Sequence, residues 1–317
     1  MKYQNDIDKM NTNRNLFLMS LPIFVELLLQ LLVGNVDQMM VSRVSQPSVA
    51  AIVNANQIMN LVIIVLSMAS TAVTVILSQY LGAQDEKNAS RTCMVSIVLI
   101  GSVSLAATIL VFAGHTPLYR AIHVPEEVFD EASLYLLIVG AFILVQGLYL
   151  TFSAMIRAFA MVKEVMIISV IMNAMNIVGN AILINGWFGM PQLGAVGAAI
   201  STDISKLVGL ALMIGMFFKS RRVKMGMSYL RPFPVQILKN LCLLAIPTGV
   251  ESFSYNLSQM IILGIVNSFG TLVTVTKGYC TIFANIDYVY AMAIATATQI
   301  VLGYLIGARR LNDILKR

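Results

Sequence analysis

The sequence predicts an all-α polytopic membrane protein: one six-helix lobe followed by the first two helices of a second, parallel-repeated lobe. Composition is the first reason. Hydrophobic residues fill 58% of the 317 positions and charged residues 11%, against roughly 45–50% and about 25% in soluble domains, and mean hydropathy is +0.82. A chain this apolar excludes disorder, a coiled coil and almost any soluble enzyme. Its net charge of +6 fits basic loops at anionic lipid rather than nucleic-acid binding. The second reason is a set of eight long apolar runs, and the third is an internal repeat.

A spanning helix needs about 20 mainly apolar residues. The runs at 16–41, 49–80, 92–114, 128–158, 163–186, 193–218, 239–267 and 272–305 meet that length. They do not alternate as β-barrel strands do. Seventeen Lys and Arg fall on one side: Lys2, Lys9 and Arg14, then Lys87 and Arg91, Arg157 and Lys163, the group from Lys219 to Lys239, and Arg309, Arg310, Lys316 and Arg317. The other side has Arg43 and Arg120. Basic loops stay inside, so both termini are expected in the cytoplasm of a multi-pass inner-membrane protein. The first fifteen residues are polar, and no cleavable signal peptide is expected. Cys93, Cys242 and Cys280 lie in apolar runs without zinc spacing or a disulfide pattern. Residues 1–218 read as the first lobe, 219–238 as a basic cytoplasmic linker and 239–317 as a partial second lobe with a cytoplasmic tail.

Residues 15–83 align without a gap to 240–308, at an offset of 225. Pro22 and Glu26 recur as Pro247 and Glu251, and Gly82-Ala83 as Gly307-Ala308. Six spans separate the copies, so they keep one orientation, a plan known in transporters. Four spans follow the first copy and none the second, as expected of a truncated six-plus-six protein. Spans 7 and 8 would then turn Glu251, Gln259 and Asp287 to lipid or to a second copy, so self-association through this region is expected.

A charge in hydrocarbon costs at least about 2.5–3.5 kcal/mol and normally faces a cavity or a partner. Glu26, Asp37, Asp203, Lys206, Glu251, Lys277 and Asp287 lie within spans, five acids against two bases. Glu26, Gln30 and Asp37 share one helix face, as do Asn173, Asn176 and Asn180. Amide oxygens can coordinate a cation or position a carboxylate's proton. Asp203 and Lys206, at i and i+3, read as a mutually neutralising structural pair. Lys277 is expected to snorkel toward the outer interface. Interior Tyr and Phe, with 20 Met, suit flat cationic ligands. His115 and His123 have no ligand spacing, and no Walker A, Gly-x-Ser-x-Gly or HExxH motif supports ATP-driven transport or hydrolysis, so the chain is not expected to be an enzyme.

Span 1 reads LPIFVELLLQLLVGNVDQMMVSRV, span 5 holds MNAMNIVGNAILI, span 6 opens PQLGAVGAAIST, and span 7 reads AIPTGVESFSYNLSQMIILGIVNSFGT. Together these resemble the bacterial multidrug and toxic compound extrusion (MATE) family, most specifically in the G-x-V-D of span 1 and the Asn-rich span followed by G-A-x-G-A-A. The resemblance implies twelve helices in two lobes and exchange of small organic cations for sodium ions or protons, with no cofactor beyond that coupling ion. It implies that Asp37 is the coupling carboxylate, with sodium as its possible metal, and that Asn176 and Asn180 lie beside it. Glu26, Gln30, Glu251, Tyr255 and Asp287 are the candidates for the substrate cleft. Family members often have a Lys beyond the position of Glu251, where this chain has Gln259 and Met260. Two alternatives stand: a lipid-linked precursor flippase of similar plan, which would need more interior basic residues than Lys206 and Lys277, and a non-transporting fragment.

Overall fold

Nine long helices follow one another in the computed structural model, which describes residues 7–42, 46–121, 124, 126–267, 269 and 271–314. They are α1 (Asn13–Ser42), α2 (Gln46–Gly82), α3 (Glu86–Ala121), α4 (Glu126–Ala141), α5 (Ile143–Ala158), α6 (Val162–Leu183), α7 (Gly194–Ser220), α8 (Val235–Asn267) and α9 (Thr271–Gly307), with a single-turn α10 (Leu311–Ile314). There is no strand among the described residues. Among the described residues six helices are long and apolar enough to cross a membrane, and α4 with α5, taken as one bent span, make a seventh. The remaining expected span, 239–267, falls on α8, which is not one of these.

The fourth span differs from the straight helix expected at 128–158. It bends by 44° between α4 and α5. No proline is involved. Phe142 leaves the helical region (φ −100°, ψ 9°), and its N–H donates to Val139 O, one residue short of the α-helical register. Glycines flank the bend. A Cβ on Gly140 would lie 2.8 Å from a Val111 methyl, and one on Gly147 would lie 3.1 Å from Ser104 Cβ. Both halves of the span therefore press onto α3, and the bend lets each keep that contact.

α2 is the central pillar, packing against α3, α4, α5, α8 and α9. A large apolar core surrounds it, drawing on α2 through α7 and the start of α8. A smaller core joins Met19 and Ile23 of α1, Val162 of α6, and Ala293, Ala297, Ile300 and Val301 of α9.

The repeat has a direct structural expression. A Cβ added to Gly82 would lie 2.7 Å from Tyr304 Cα, and one on Gly307 would lie 2.7 Å from Ala83 N and clash with the Gln79 carbonyl. Positions 79 and 304, like 82 and 307, are 225 apart, so each copy's glycine receives the other copy's backbone. Ser78 and Gly303, also 225 apart, face each other across this crossing. Residue i of one copy thus meets j of the other and j meets i, the signature of a two-fold contact. The same Schellman cap closes both helices. Gln84 (φ 56°) and Arg309 (φ 59°) are left-handed, with N–H bonds from Gln84 to Leu81 O and Asp85 to Tyr80 O matched by Arg309 to Ile306 O and Arg310 to Leu305 O.

One end of the bundle is tied together by the Tyr304 hydroxyl donating to Ala158 O at 2.9 Å, Lys224 N–H donating to Ser90 Oγ at 3.2 Å, and an Arg310–Asp8 ion pair. The described basic loop residues gather at this end. The opposite end carries Arg120, the Ser48–Glu131 hydrogen bond and the Leu193–Leu183 backbone bond. Arg43 and His123, like Lys2, Lys316 and Arg317, lie outside the described residues.

The two-fold crossing makes a sharp prediction. Gly82→Val and Gly307→Val should each destabilise the protein by about 1–3 kcal/mol through overpacking. Gly101→Ala, where an added Cβ meets nothing within 4 Å, should stay within about 0.5 kcal/mol. Thermal unfolding in nanodiscs compares them, and equal melting temperatures for all three variants would count against the crossing.

Candidate functional site

A cavity of about 470 Å³ opens among α1, α2, α4, α7 and α9. Gln30, Gly34 and Asp37 of α1 form one wall, Asn56 and Met59 of α2 a second, and Tyr135, Thr202, Lys206 and Asn285 the rest. Gly34 leaves the wall open, since an added Cβ there meets no atom within 4 Å. Two of the sequence candidates, Gln30 and Asp37, therefore share one chamber.

Asp37 is engaged from α6. The Asn180 amide donates to Asp37 Oδ1 at 2.5 Å and also points at Asn176 Oδ1 at 3.5 Å. Asn176 in turn donates to Thr202 Oγ1 on α7 at 3.1 Å, while Ser201 Oγ donates to the Asn176 carbonyl at 2.9 Å. Asn173 turns the other way along the ladder and donates to Ser169. The α6–α7 crossing that permits this is built from small residues: Gly197 packs on the Leu183 backbone and Gly179 on Ser201. That is the physical content of the G-A-x-G-A-A run, since small side chains let membrane helices approach closely. The Asn180 Oδ1 is buried without a hydrogen-bond partner. A carboxylate, two amide oxygens and a hydroxyl form the kind of hard-oxygen set that takes a small cation.

Glu26 sits elsewhere. It is 1% exposed and ion-paired with Arg157 at the end of α5 at 2.5 Å, and Gln30 Nε2 approaches the same carboxylate at 3.4 Å. It does not line the cavity. The carboxylate expected on a cleft wall faces the Arg157 guanidinium, which neutralises it.

The expected Asp203–Lys206 pair does not close to contact distance. Among the described residues Lys206 has no carboxylate within 4.0 Å. Both Asp203 oxygens are buried without a hydrogen-bond partner, and the Lys206 side chain reaches the cavity wall that Asp37 shares. Spacing of i, i+3 puts two side chains on one face but does not make them touch. Asp37, expected beside amides and no base, therefore has a base across its chamber. Tyr135, Asn56 and Asn285 are further cavity groups that the sequence reading did not single out. Asn285 carried a signal, being the repeat partner of Asn60.

Glu251, Tyr255 and Asp287 are exposed on α8 and α9, away from the cavity. Tyr255 stacks parallel to Tyr288, with ring centroids 6.4 Å apart and planes within 7°. Gln259 is exposed on the same helix.

Membrane-length helices, two of them a repeat of the first two, around a cavity that holds a carboxylate and amides mark a polytopic membrane protein of transport type. The chain belongs to the MatE family: the family model described as MatE matches residues 22–182 and 247–316. Members of this family are secondary transporters rather than enzymes. The chain is 35% identical to the "Uncharacterized transporter YisQ" of Bacillus subtilis, over 96% of its own length and 67% of that protein. It is 28% identical to the "Probable multidrug resistance protein NorM" of Chromobacterium violaceum, over 92% of this chain and 63% of that one. Against a similarly named Thermotoga maritima protein it spans 52%. The chain thus spans between about half and two thirds of the curated relatives it matches. Its fold is similar to a crystal structure of a MATE protein in a bent conformation (TM-score 0.87, 20% identity, 98% of this chain and 69% of that one). It is similar to a MOP superfamily transporter from Pyrococcus furiosus to the same degree of fold (TM-score 0.87, 19% identity, 98% and 69%).

The buried pair is open to a double-mutant cycle. Breaking it from one side leaves an uncompensated charge, so Glu26→Gln and Arg157→Gln should each cost about 3 kcal/mol. The double variant should cost clearly less than their sum. Unfolding midpoints in nanodiscs measure the cycle, and additive losses would mean the two groups do not interact.

Proposed function

We propose that this chain forms the ion-coupling half of a cation-coupled antiporter that exports small organic cations across the cytoplasmic membrane, with both termini in the cytoplasm. The observation that carries the reading is Asp37, an acid inside a membrane-depth cavity, engaged by Asn180 and backed by Asn176 and Thr202. A carboxylate that is alternately free and occupied by a proton or sodium ion gives the protein two states. Coupling is the difference in affinity of the two transport conformations for the ion and for the drug. The names of the NorM relatives support multidrug export as the class.

Substrate contact falls to Gln30 on the cavity wall and to the exposed face of α8 and α9. There the Tyr255–Tyr288 stack has Glu251 one helical turn before it and Asp287 beside it. Aromatic faces flanked by carboxylates attract flat cations. Glu26 has a different task in this scheme, fixing α1 to α5 through Arg157 so that Asp37 keeps its depth.

Two experiments test this. With the protein expressed from its complete reading frame, everted vesicles given an imposed proton or sodium gradient should expel a fluorescent organic cation. Asp37→Asn should reduce that efflux at least about tenfold at matched protein level, within the roughly 5–150-fold span of typical coupling free energies. Full efflux from Asp37→Asn would move the coupling site elsewhere. Orientation is tested by labelling with an impermeant maleimide added outside cells: a Cys at position 120 should react and one at position 226 should not. Reaction at 226 would invert the topology.

A further inference from the structure

The Asp37 cavity contains a cation of its own. Lys206 extends from α7 onto the cavity wall that also carries Asp37 of α1, and Asp203 precedes it by one turn on its own helix. Neither contact is closed, because no carboxylate lies within 4.0 Å of the amine among the described residues. Asp203 is 2% exposed, and neither of its oxygens receives a hydrogen bond. Asp37 receives one, from Asn180 on Oδ1. The other polar groups facing the chamber, Gln30 on α1, Asn56 on α2, Tyr135 on α4, Thr202 on α7 and Asn285 on α9, are uncharged. Among the described residues that line the chamber, Asp37 is the one acid and Lys206 the one base, with the second acid, Asp203, one turn from the amine's own attachment point.

We propose that Lys206 is a tethered counter-cation: its ammonium takes the cation position between Asp37 and Asp203, and a free sodium ion has no site there while it is present. The proposal rests on the reading of Asp37 as the coupling carboxylate and adds what selects the ion that reaches it. An ammonium and a sodium ion carry the same charge and seek the same oxygens. The Lys side chain delivers its charge without the translational cost that a free ion bears, and a second monovalent cation in the chamber would meet like-charge repulsion at short range. Asp203 is the part of the device that the i, i+3 spacing hides. It gives the ammonium a second carboxylate to approach, so Lys206 can move off Asp37 without leaving the interior uncompensated. Removing the Lys charge leaves two acids and the unpartnered Asn180 Oδ1, a vacant oxygen set suited to sodium.

The test uses the purified full chain in nanodiscs with sodium chloride as the only probe, titrated calorimetrically against a choline chloride blank. Wild type should show no saturable sodium binding. Lys206→Met should bind sodium at least about tenfold more tightly than wild type, a gain of roughly 1.4 kcal/mol. Lys206→Arg, which keeps the charge, should behave as wild type. In Lys206→Met with Asp37→Asn the gained binding should vanish, locating the ion at Asp37. Lys206→Gln repeats the test if the Met variant aggregates on size exclusion. Equal sodium affinity in wild type and a charge-removing variant, whether both bind or neither does, overturns the proposal. The readout contains no transport, so a chain that fails to export drugs but gains sodium binding on loss of Lys206 would remove the antiporter reading and leave the counter-cation standing.

Discussion

Hydrocarbon offers a polar side chain no partner, so every buried charge in this protein has to be answered by another part of the protein. Glu26 is answered by Arg157. Asp37 is answered by Asn180, which leans on Asn176, which leans on Thr202. These contacts bind α1 to α5 and to α6, and α6 to α7. The polar groups therefore fix which helices neighbour which, while the apolar residues facing outward accept any lipid. The same requirement applies to Asp203, with neither oxygen hydrogen-bonded and the Lys206 ammonium one turn along its helix.

The helices and the repeat were legible in the sequence because both are local or periodic properties. Length of an apolar run is enough to propose a span, and a constant offset is enough to propose a copy. The asparagine face was legible too, since i, i+3 and i+7 share one side of a helix. What was not legible was proximity across the bundle. Arg157 is 131 residues from Glu26 and Asn180 is 143 from Asp37. Nothing in the spacing says that α1 runs beside both; the second pairing was reached only through family resemblance. The bend at Phe142 was hidden for a different reason. It has no proline and follows from tertiary contact of Gly140 and Gly147 with α3. Lys206 was misread through a rule that reports a shared face and was taken as a contact.

The division of labour between the two cores follows from this layout. The larger core surrounds α2 and takes in the start of α8. The smaller one fastens α9 to the start of α1 and of α6, so the second copy is anchored at one end while its aromatic and acidic face stays open. As proposed, substrate contact at Gln30 adjoins the coupling carboxylate, while substrate contact on the α8–α9 face reaches it through α1, which touches both α6 and α9.

The crossing of α2 and α9 carries a further consequence. In a dimer of identical subunits, a residue on the two-fold axis must face itself, and only a side chain compatible with its own image can stand there. Ser78 and Gly303 occupy such an axis, yet they differ: the hydroxymethyl group of one fills the space that the missing side chain of the other leaves. Two serines would collide and two glycines would leave a gap. Joining both copies in one polypeptide releases the axial position from self-complementarity. A lock-and-socket fit that no symmetric pair of subunits can make becomes available where the halves come closest.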